Sequence, residues 1–73
     1  MATQIVMDRT GDSRHLFNPA DAAAAAAAEE RFTMLIGAGY IAAKRTGSGT
    51  SELIRKFDPT AEETLFIPRL QGG

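Results

Sequence analysis

The 73-residue chain contains no cysteine and no tryptophan, and it has only one histidine. Without cysteine there is no disulfide, no thiolate zinc site and no cysteine nucleophile. One histidine leaves a metal site short of ligands. No apolar run reaches the about 18 residues that a membrane-spanning helix needs, and the N-terminus lacks the basic and apolar regions of a signal peptide. These absences predict a cytoplasmic protein without metal, cofactor or membrane partner.

The length and the net charge of the chain further restrict its possible functions and its domain organisation. The formal net charge of −1 argues against a nucleic-acid binder, which gains affinity by releasing counterions from phosphates. A chain this short forms one domain. Because alanines make up much of its 44% hydrophobic content, the core has to be built from few large side chains.

The first part of the chain predicts a β-hairpin. Residues 4–7 are a short run of strand formers, and residues 13–17 are a second one. Between them, residues 9–12 include a glycine that suits a tight turn. Two short strands around such a turn favour a hairpin.

A long helix follows the hairpin. Asn18 suits an N-cap and Pro19 the first helical position, while Asp21 places a carboxylate in the first turn. Seven alanines at 22–28 propagate the helix strongly, and two glycines after residue 36 end it. The prediction is a helix over 19–36. Its buried face, at helical spacing, consists of Ala25, Ala28, Phe32, Leu35 and Ile36.

The remaining elements are short. Residues 40–44 and 53–57 predict two strands joined by a flexible glycine- and serine-rich loop at 46–51. Residues 58–63 begin with a cap residue and a proline, which favours a single helical turn. Residues 64–67 predict a last strand. The order β-β-α-β-β-β predicts an α+β domain in which one helix packs on one face of a mixed sheet.

The last part of the chain is its most distinctive sequence. Pro68 ends the final strand because proline has no N–H for a sheet ladder. Glycine has no Cβ, so two terminal glycines can enter a slot that is too narrow for other residues. A frayed polar end is the alternative interpretation. The tail consists of Arg69, Leu70, Gln71, Gly72 and Gly73.

This tail closely resembles the C-terminus of ubiquitin and its relatives. The order of elements resembles the β-grasp fold of that family, in which the first and last strands are neighbours and parallel. In particular, the chain is similar to small bacterial ubiquitin-like proteins that are encoded beside activating-enzyme, conjugating-enzyme and metallo-deconjugase genes. The resemblance implies a β-grasp domain at 1–68 and a flexible di-glycine tail at 69–73.

The resemblance also implies a protein modifier that is itself no enzyme. A partner activating enzyme would use ATP to adenylate the Gly73 carboxylate, with Gly72 giving access. Conjugation to a target amine would follow, and a peptidase would reverse it. Because the chain already ends at the glycine pair, no processing protease is expected. By the same resemblance, the partner enzyme would read the residues just before the glycines, which are Arg69, Leu70 and Gln71. The candidate acceptors for a second copy are Lys44 and Lys56, the only lysines in the sequence.

Two other functions remain open at this point. A sulfur carrier has the same fold and tail, but its adenylate becomes a thiocarboxylate that donates sulfur. A non-covalent interaction module needs no reactive end and would bind its partner without Gly72 and Gly73.

Two motifs suggest other chemistry. Residues 37–42 match a dinucleotide-binding fingerprint, but that site needs a strand before it and a long helix after it. Asp12, Ser13 and His15 include the residue types of a catalytic triad. Because adjacent strand residues alternate between faces, this spacing does not bring the three together. Structural roles are the better interpretation of both motifs.

A third cluster lies near the root of the tail. Arg55, Lys56 and Arg69 would form a mildly basic patch there. An ordinary solvated surface is one interpretation of this patch. The other is a docking surface for an activating enzyme, with Leu70 as its apolar contact.

Overall fold

A computed structural model of the protein describes residues 1–8, 10–45 and 49–69. These residues form one helix and five strands. They are β1 Ala2–Asp8, β2 Gly11–Phe17, α1 Ala22–Gly37, β3 Tyr40–Arg45, β4 Ser51–Ile54 and β5 Glu63–Pro68. Among the described residues, no helix combines the length and hydropathy needed to cross a membrane.

The strands form one mixed sheet in the order β2-β1-β5-β3-β4. β1 and β5 are parallel neighbours in its centre, with Val6 opposite Phe66. Every other neighbouring pair is antiparallel. The helix α1 packs on one face of this sheet. This β-grasp arrangement confirms the predicted α+β class, the order of elements and the parallel pairing of the first and last strands.

The core lies between α1 and the sheet. Phe32 of α1 is buried, and its ring centroid lies 5.5 Å from that of Phe66 and 6.0 Å from that of Phe57, in edge-to-face geometry. Such aromatic pairs stabilise beyond their buried area. Ala28 and Ala42 are also buried, and their small side chains let the helix lie close to the sheet. The predicted helix face is confirmed, with its other three members half-buried.

A buried amide also joins the helix to the sheet. Gln4 is 1% exposed. Its Nε2 donates to the carbonyl of Ala28 at 3.0 Å, and its Oε1 accepts from Arg31 at 2.7 Å. Because an unpaired buried amide would be costly, these two bonds make the position tolerable for a polar residue.

The predicted hairpin is confirmed and its turn is tight. β1 and β2 pair as far as Asp8 opposite Gly11. The Asp8 carboxylate accepts the N–H of Thr10 at 2.8 Å and its hydroxyl at 2.7 Å, which lowers the Asp8 pKa. Gly11 has a φ of 130°, in the region that favours glycine.

The predicted start of the helix was three residues too early. The Asn18 side chain accepts the N–H of Ala20, and the N–H of Asp21 donates to the Asn18 carbonyl, so 18–21 is a turn. Asp21 is the N-cap, because its carboxylate accepts the N–H groups of Ala23 and Ala24 at 3.0 and 3.3 Å. Asn18 and Asp21 are both cap formers, and the proline after Asn18 also suits a turn.

The end of the helix also differs in detail from the prediction. Gly37 is the last residue of α1 and does not stop it. Ala38 is the C-cap, and its N–H donates to the carbonyls of Met34 and Leu35. Gly39 then takes a φ of 98°, which turns the chain into β3.

The predicted fourth strand was displaced. It was expected at 53–57, whereas β4 is Ser51–Ile54, with Ser51 taken from the predicted loop. The chain bends at Arg55 and Lys56 so that Phe57 can reach the core, where its ring lies near those of Phe17 and Phe32. Core packing therefore ended the strand early. Residues 46–48 of the predicted loop lie outside the described residues.

The single helical turn predicted over 58–63 is wrong. The N–H of Ala61 donates to the Asp58 carbonyl at 3.2 Å, and the Asp58 carboxylate accepts the N–H of Thr60 at 2.9 Å. These bonds close a β-turn that is stabilised by the side chain of its first residue, Asp58. Glu63, which was expected in the helical turn, begins β5 and lies 3.4 Å from Arg45 across the sheet.

Candidate functional site

The root of the tail is fixed by the sheet. β5 ends at Pro68, which lies opposite Tyr40, the first residue of β3. Arg69 follows and is exposed. The predicted reactive residues Gly72 and Gly73, with Leu70 and Gln71, lie outside the described residues. The structure therefore shows where the tail leaves the domain.

The three predicted basic residues are brought to one end of the sheet. Arg55 and Arg69 line a groove of about 490 Å³ between the end of α1 and strands β3 and β4. We call it the tail-root groove; its lining also includes Ile36, Tyr40, Ile41 and Ile54. Arg55 and Lys56 line an adjoining groove of about 370 Å³ beside α1. The predicted basic residues thus line two adjoining grooves, which also contain apolar side chains and, in the groove beside α1, the carboxylate of Glu29.

The two lysines have different surroundings. The Nζ of Lys44 donates to Asp58 at 2.8 Å and lies 3.9 Å from Glu52, and its side chain is 22% exposed. The hydrogen bond to Asp58 raises the pKa of Lys44. Lys56 is exposed, and none of the described residues forms an ion pair with it. The two lysines therefore differ in accessibility, since Lys44 is held in an ion pair and Lys56 is exposed.

Asp58 connects the bend after β4 to β3. Its hydrogen bond with Lys44, together with those from the hydroxyl and N–H of Thr60, lowers the pKa of Asp58 to about 2. The carboxylate is therefore ionised at neutral pH and keeps Lys44 protonated. The sequence suggested only a helix cap at Asp58, since residues 14 positions apart carry no local signal of pairing.

The competing motifs take structural roles. Residues 37–42 lie where α1 ends and β3 begins, which is the reverse of the order that a dinucleotide site requires. Asp12, Ser13 and His15 lie on β2, and Asp12 pairs with Arg14 at 3.6 Å. No group of three metal-ligating side chains occurs in the part of the chain that the structure describes.

One feature was not predicted from the sequence. The sheet face opposite α1 carries a row of apolar residues, one on each of four neighbouring strands. The row consists of Ile5, Leu65, Ala43 and Leu53. We call it the open-face row. Alternation along each strand was visible in the sequence, but the row itself follows from the register between strands.

Comparison with known proteins gives no assignment: no family model matches the chain, and no curated protein or solved structure matches it either.

Proposed function

We propose that the protein is a ubiquitin-like modifier, activated at Gly73 by a partner adenylating enzyme and conjugated to amines of target proteins. The observation that carries the proposal is the β-grasp sheet, whose central strand β5 leads directly into the sequence Arg-Leu-Gln-Gly-Gly. The domain acts as a handle, and the tail carries the reactive carboxylate. On this proposal the protein is a substrate of enzymes and works in the cytoplasm.

The chemistry explains why the partner enzyme uses ATP. A carboxylate is a poor electrophile, so the Gly73 oxygen first attacks the α-phosphorus of ATP, forming an acyl-adenylate and releasing pyrophosphate. A cysteine thiolate of the partner then displaces AMP to give a thioester. A target amine finally displaces the thiolate and forms an amide. Gly72 contributes by leaving the approach to Gly73 narrow.

The same proposal distinguishes the two candidate acceptor lysines. Conjugation of one copy to another requires a neutral, accessible amine. Lys44 is held protonated by Asp58, while Lys56 is exposed beside the tail-root groove. We therefore expect Lys56 to carry most of the Gly-Gly remnants in any chain of copies, alongside the N-terminal amine.

Deletion of Gly73 tests the proposal. The protein is incubated with its cognate activating enzyme and ATP, and the products are analysed on a non-reducing gel. Full-length protein should give a band that a thiol reagent removes, the deletion should give none, and Gly72→Val should reduce it. The melting temperature should stay nearly constant in both variants, since the last residues of a domain usually contribute little to its stability. A thiol-sensitive band from the deletion variant contradicts the proposal.

Mass spectrometry of the products separates the alternatives. A Gly-Gly remnant on target lysines supports conjugation. Replacement of a terminal oxygen by sulfur would instead identify a sulfur carrier. A protein that binds its partner equally well without Gly72 and Gly73, and forms no adduct, would be a non-covalent module.

A further inference from the structure

The outer side of β2 has no strand beside it. β2 lies at one end of the sheet, and β1 is the only described strand that pairs with it. Most of its residues, from Gly11 to Arg14 and again Leu16, are exposed. Because residues along a strand direct their N–H and C=O groups alternately to its two sides, every second residue of β2 presents its backbone groups to this outer side. The edge can therefore hydrogen-bond a further strand.

The two edges of the sheet differ in how well they are protected against such pairing. Edge strands commonly avoid other chains by being short, by a bulge, or by containing proline or lysine. β4, at the other edge, has four residues, and the chain bends away after it. β2 has seven residues, contains neither proline nor lysine, and pairs one to one with β1 over its whole length. β2 is therefore the edge that is open to another strand.

Two opposite charges lie near the centre of β2, on the open face of the sheet. Asp12 is opposite Met7, and Arg14 is opposite Ile5, a member of the open-face row. The side chains of Arg14 and Asp12 are 66% and 49% exposed and lie 3.6 Å apart. Ser13 separates the two residues in the sequence. The charge of β2 is thus negative on one side of Ser13 and positive on the other.

Backbone geometry limits how β2 can pair with β2 of a second copy. In an antiparallel ladder, residues with outward backbone groups must face each other, so a two-fold symmetric pair is centred on a residue. Centring on Asp12 or Arg14 places like charges directly opposite, which is destabilising. Centring on Ser13 places Asp12 of each copy opposite Arg14 of the other, and Gly11, which has no side chain, opposite His15. Centres nearer the ends of β2 give a shorter ladder.

We propose that two copies of the protein associate through β2, in an antiparallel pair centred on Ser13 that joins two five-stranded sheets into one. Asp12 of each copy pairs with Arg14 of the other. These pairs replace the exposed pair within each copy, which contributes little by itself. Both copies use the same edge, so the contact closes and does not extend into a fibre. A second copy is favoured over other strands because the order of charges on β2 is complementary to itself.

The dimer should be weak. One pair of seven-residue strands is small compared with a stable interface between proteins. We therefore expect a dimer that forms at high protein concentration, dissociates on dilution and weakens as salt screens its ion pairs. The inference does not depend on the proposed function, since it uses no residue of the tail. The protein with Gly73 deleted should dimerise equally well, so failure of the thioester assay and failure of dimerisation are separate results.

Analytical ultracentrifugation of two charge variants of the full chain tests the inference. Asp12→Arg places arginine opposite arginine in the proposed pair, and Arg14→Asp places aspartate opposite aspartate. Each variant alone should self-associate at least tenfold more weakly than wild type. An equimolar mixture should form a heterodimer, because every arginine of one variant then faces an aspartate of the other. The double variant with both changes restores opposite charges and should dimerise like wild type.

Two controls separate this contact from an effect of net charge. Glu52→Arg and Arg55→Asp make the same changes in net charge at exposed positions near the other edge of the sheet. Both variants should dimerise like wild type. Circular dichroism melts establish that all the variants are folded.

NMR provides the second measurement. Amide signals of β2 should shift as the protein concentration rises, and those of β4 should not. The inference is overturned if no dimer forms at about 1 mM protein, the weak end of the affinity scale. It is also overturned if the single variants dimerise as tightly as wild type, if their mixture gives no heterodimer, or if the shifts are confined to β4. Loss of the dimer in Leu53→Ser would place the contact on the open-face row and would overturn it as well.

Discussion

The two faces of the sheet are built from similar residues but have very different surroundings. On the face covered by α1, Ala42 is 1% exposed and Phe66 is fully buried. On the open face, Leu53 is 72% exposed and Leu16 is 65% exposed. The strands alone do not decide which apolar residues are buried. The helix buries the apolar residues of the face that it covers, whereas on the open face Ile5 is buried, at 8% exposed, but Leu53 and Leu16 are not.

The covered face also contains the buried polar side chains, which need hydrogen-bond partners. Gln4 and Thr64 are buried there, and no buried side-chain polar atom among the described residues lacks a hydrogen-bond partner. On the open face, polar groups such as Arg45 and Glu63 pair at a solvated surface, where an ion pair contributes little. Substitutions on the two faces should therefore differ in cost even when the side chains are alike.

The largest expected effect is on Phe32. Phe32→Ala should lower the free energy of unfolding by about 3–5 kcal/mol, the usual range for a buried phenylalanine. In a domain of 73 residues that can abolish folding. The matched open-face variant Leu53→Ala should change it by less than about 0.5 kcal/mol. Urea denaturation measures both, and equal losses would contradict the assignment of the covered face.

A smaller effect is expected at Gln4. Gln4→Met keeps the shape of the side chain but removes the bonds to Ala28 and Arg31, so a loss of about 1–3 kcal/mol is expected. The control is Thr3→Val on the same strand but on the open face, which should cost less than about 0.5 kcal/mol. If Gln4→Met is as stable as wild type, the buried amide has no net role in joining helix and sheet.

The smallest effect concerns the pair of Asp58 and Lys44 at the margin of the covered face. The Asp58 pKa is lowered to about 2 from an ordinary 3.8, so its contribution is complete above about pH 4 and is lost as pH falls toward 2. Since Asp58 is partly exposed, we expect a contribution of about 1 kcal/mol. Denaturation of wild type and Asp58→Asn between pH 2 and pH 6 measures this contribution.

The contribution of Lys44 to stability depends on pH in the opposite direction. Its pKa is raised, so its part in the pair is lost only as pH rises through that higher value. Between pH 2 and pH 6 only Asp58 titrates in this pair, so the difference between wild type and Asp58→Asn should stay constant down to about pH 4 and then shrink toward pH 2. A difference that is independent of pH would contradict the lowered pKa of Asp58, to which the bonds from both Lys44 and Thr60 contribute.

The sequence was most informative where signals were local. The hairpin, the alanine-rich helix and the last strand each depend on neighbouring residues, and they were predicted within a few positions. The errors came where two local signals compete. Asn18 and Asp21 can both cap a helix, and Phe57 continues an apolar strand pattern but is drawn into the core.

Features that join residues far apart in the sequence were harder to predict. The open-face row depends on strand register. The pairing of Lys44 with Asp58 and the bonds of Gln4 depend on how a turn and the helix pack against the sheet, which no stretch of sequence encodes by itself. For the candidate site, the sequence predicted the cluster of Arg55, Lys56 and Arg69. It did not predict the grooves that they line.

The central position of β1 and β5 has a consequence for synthesis of the chain. Thr3 pairs with Glu63, so the parallel ladder at the middle of the sheet joins residues about 60 positions apart. During translation, β1 can pair only with β2 until β5 has left the ribosome, and Phe66 is missing from the core until then. Domains generally fold as units during synthesis, and this one can reach its native state only after nearly all of its residues have emerged.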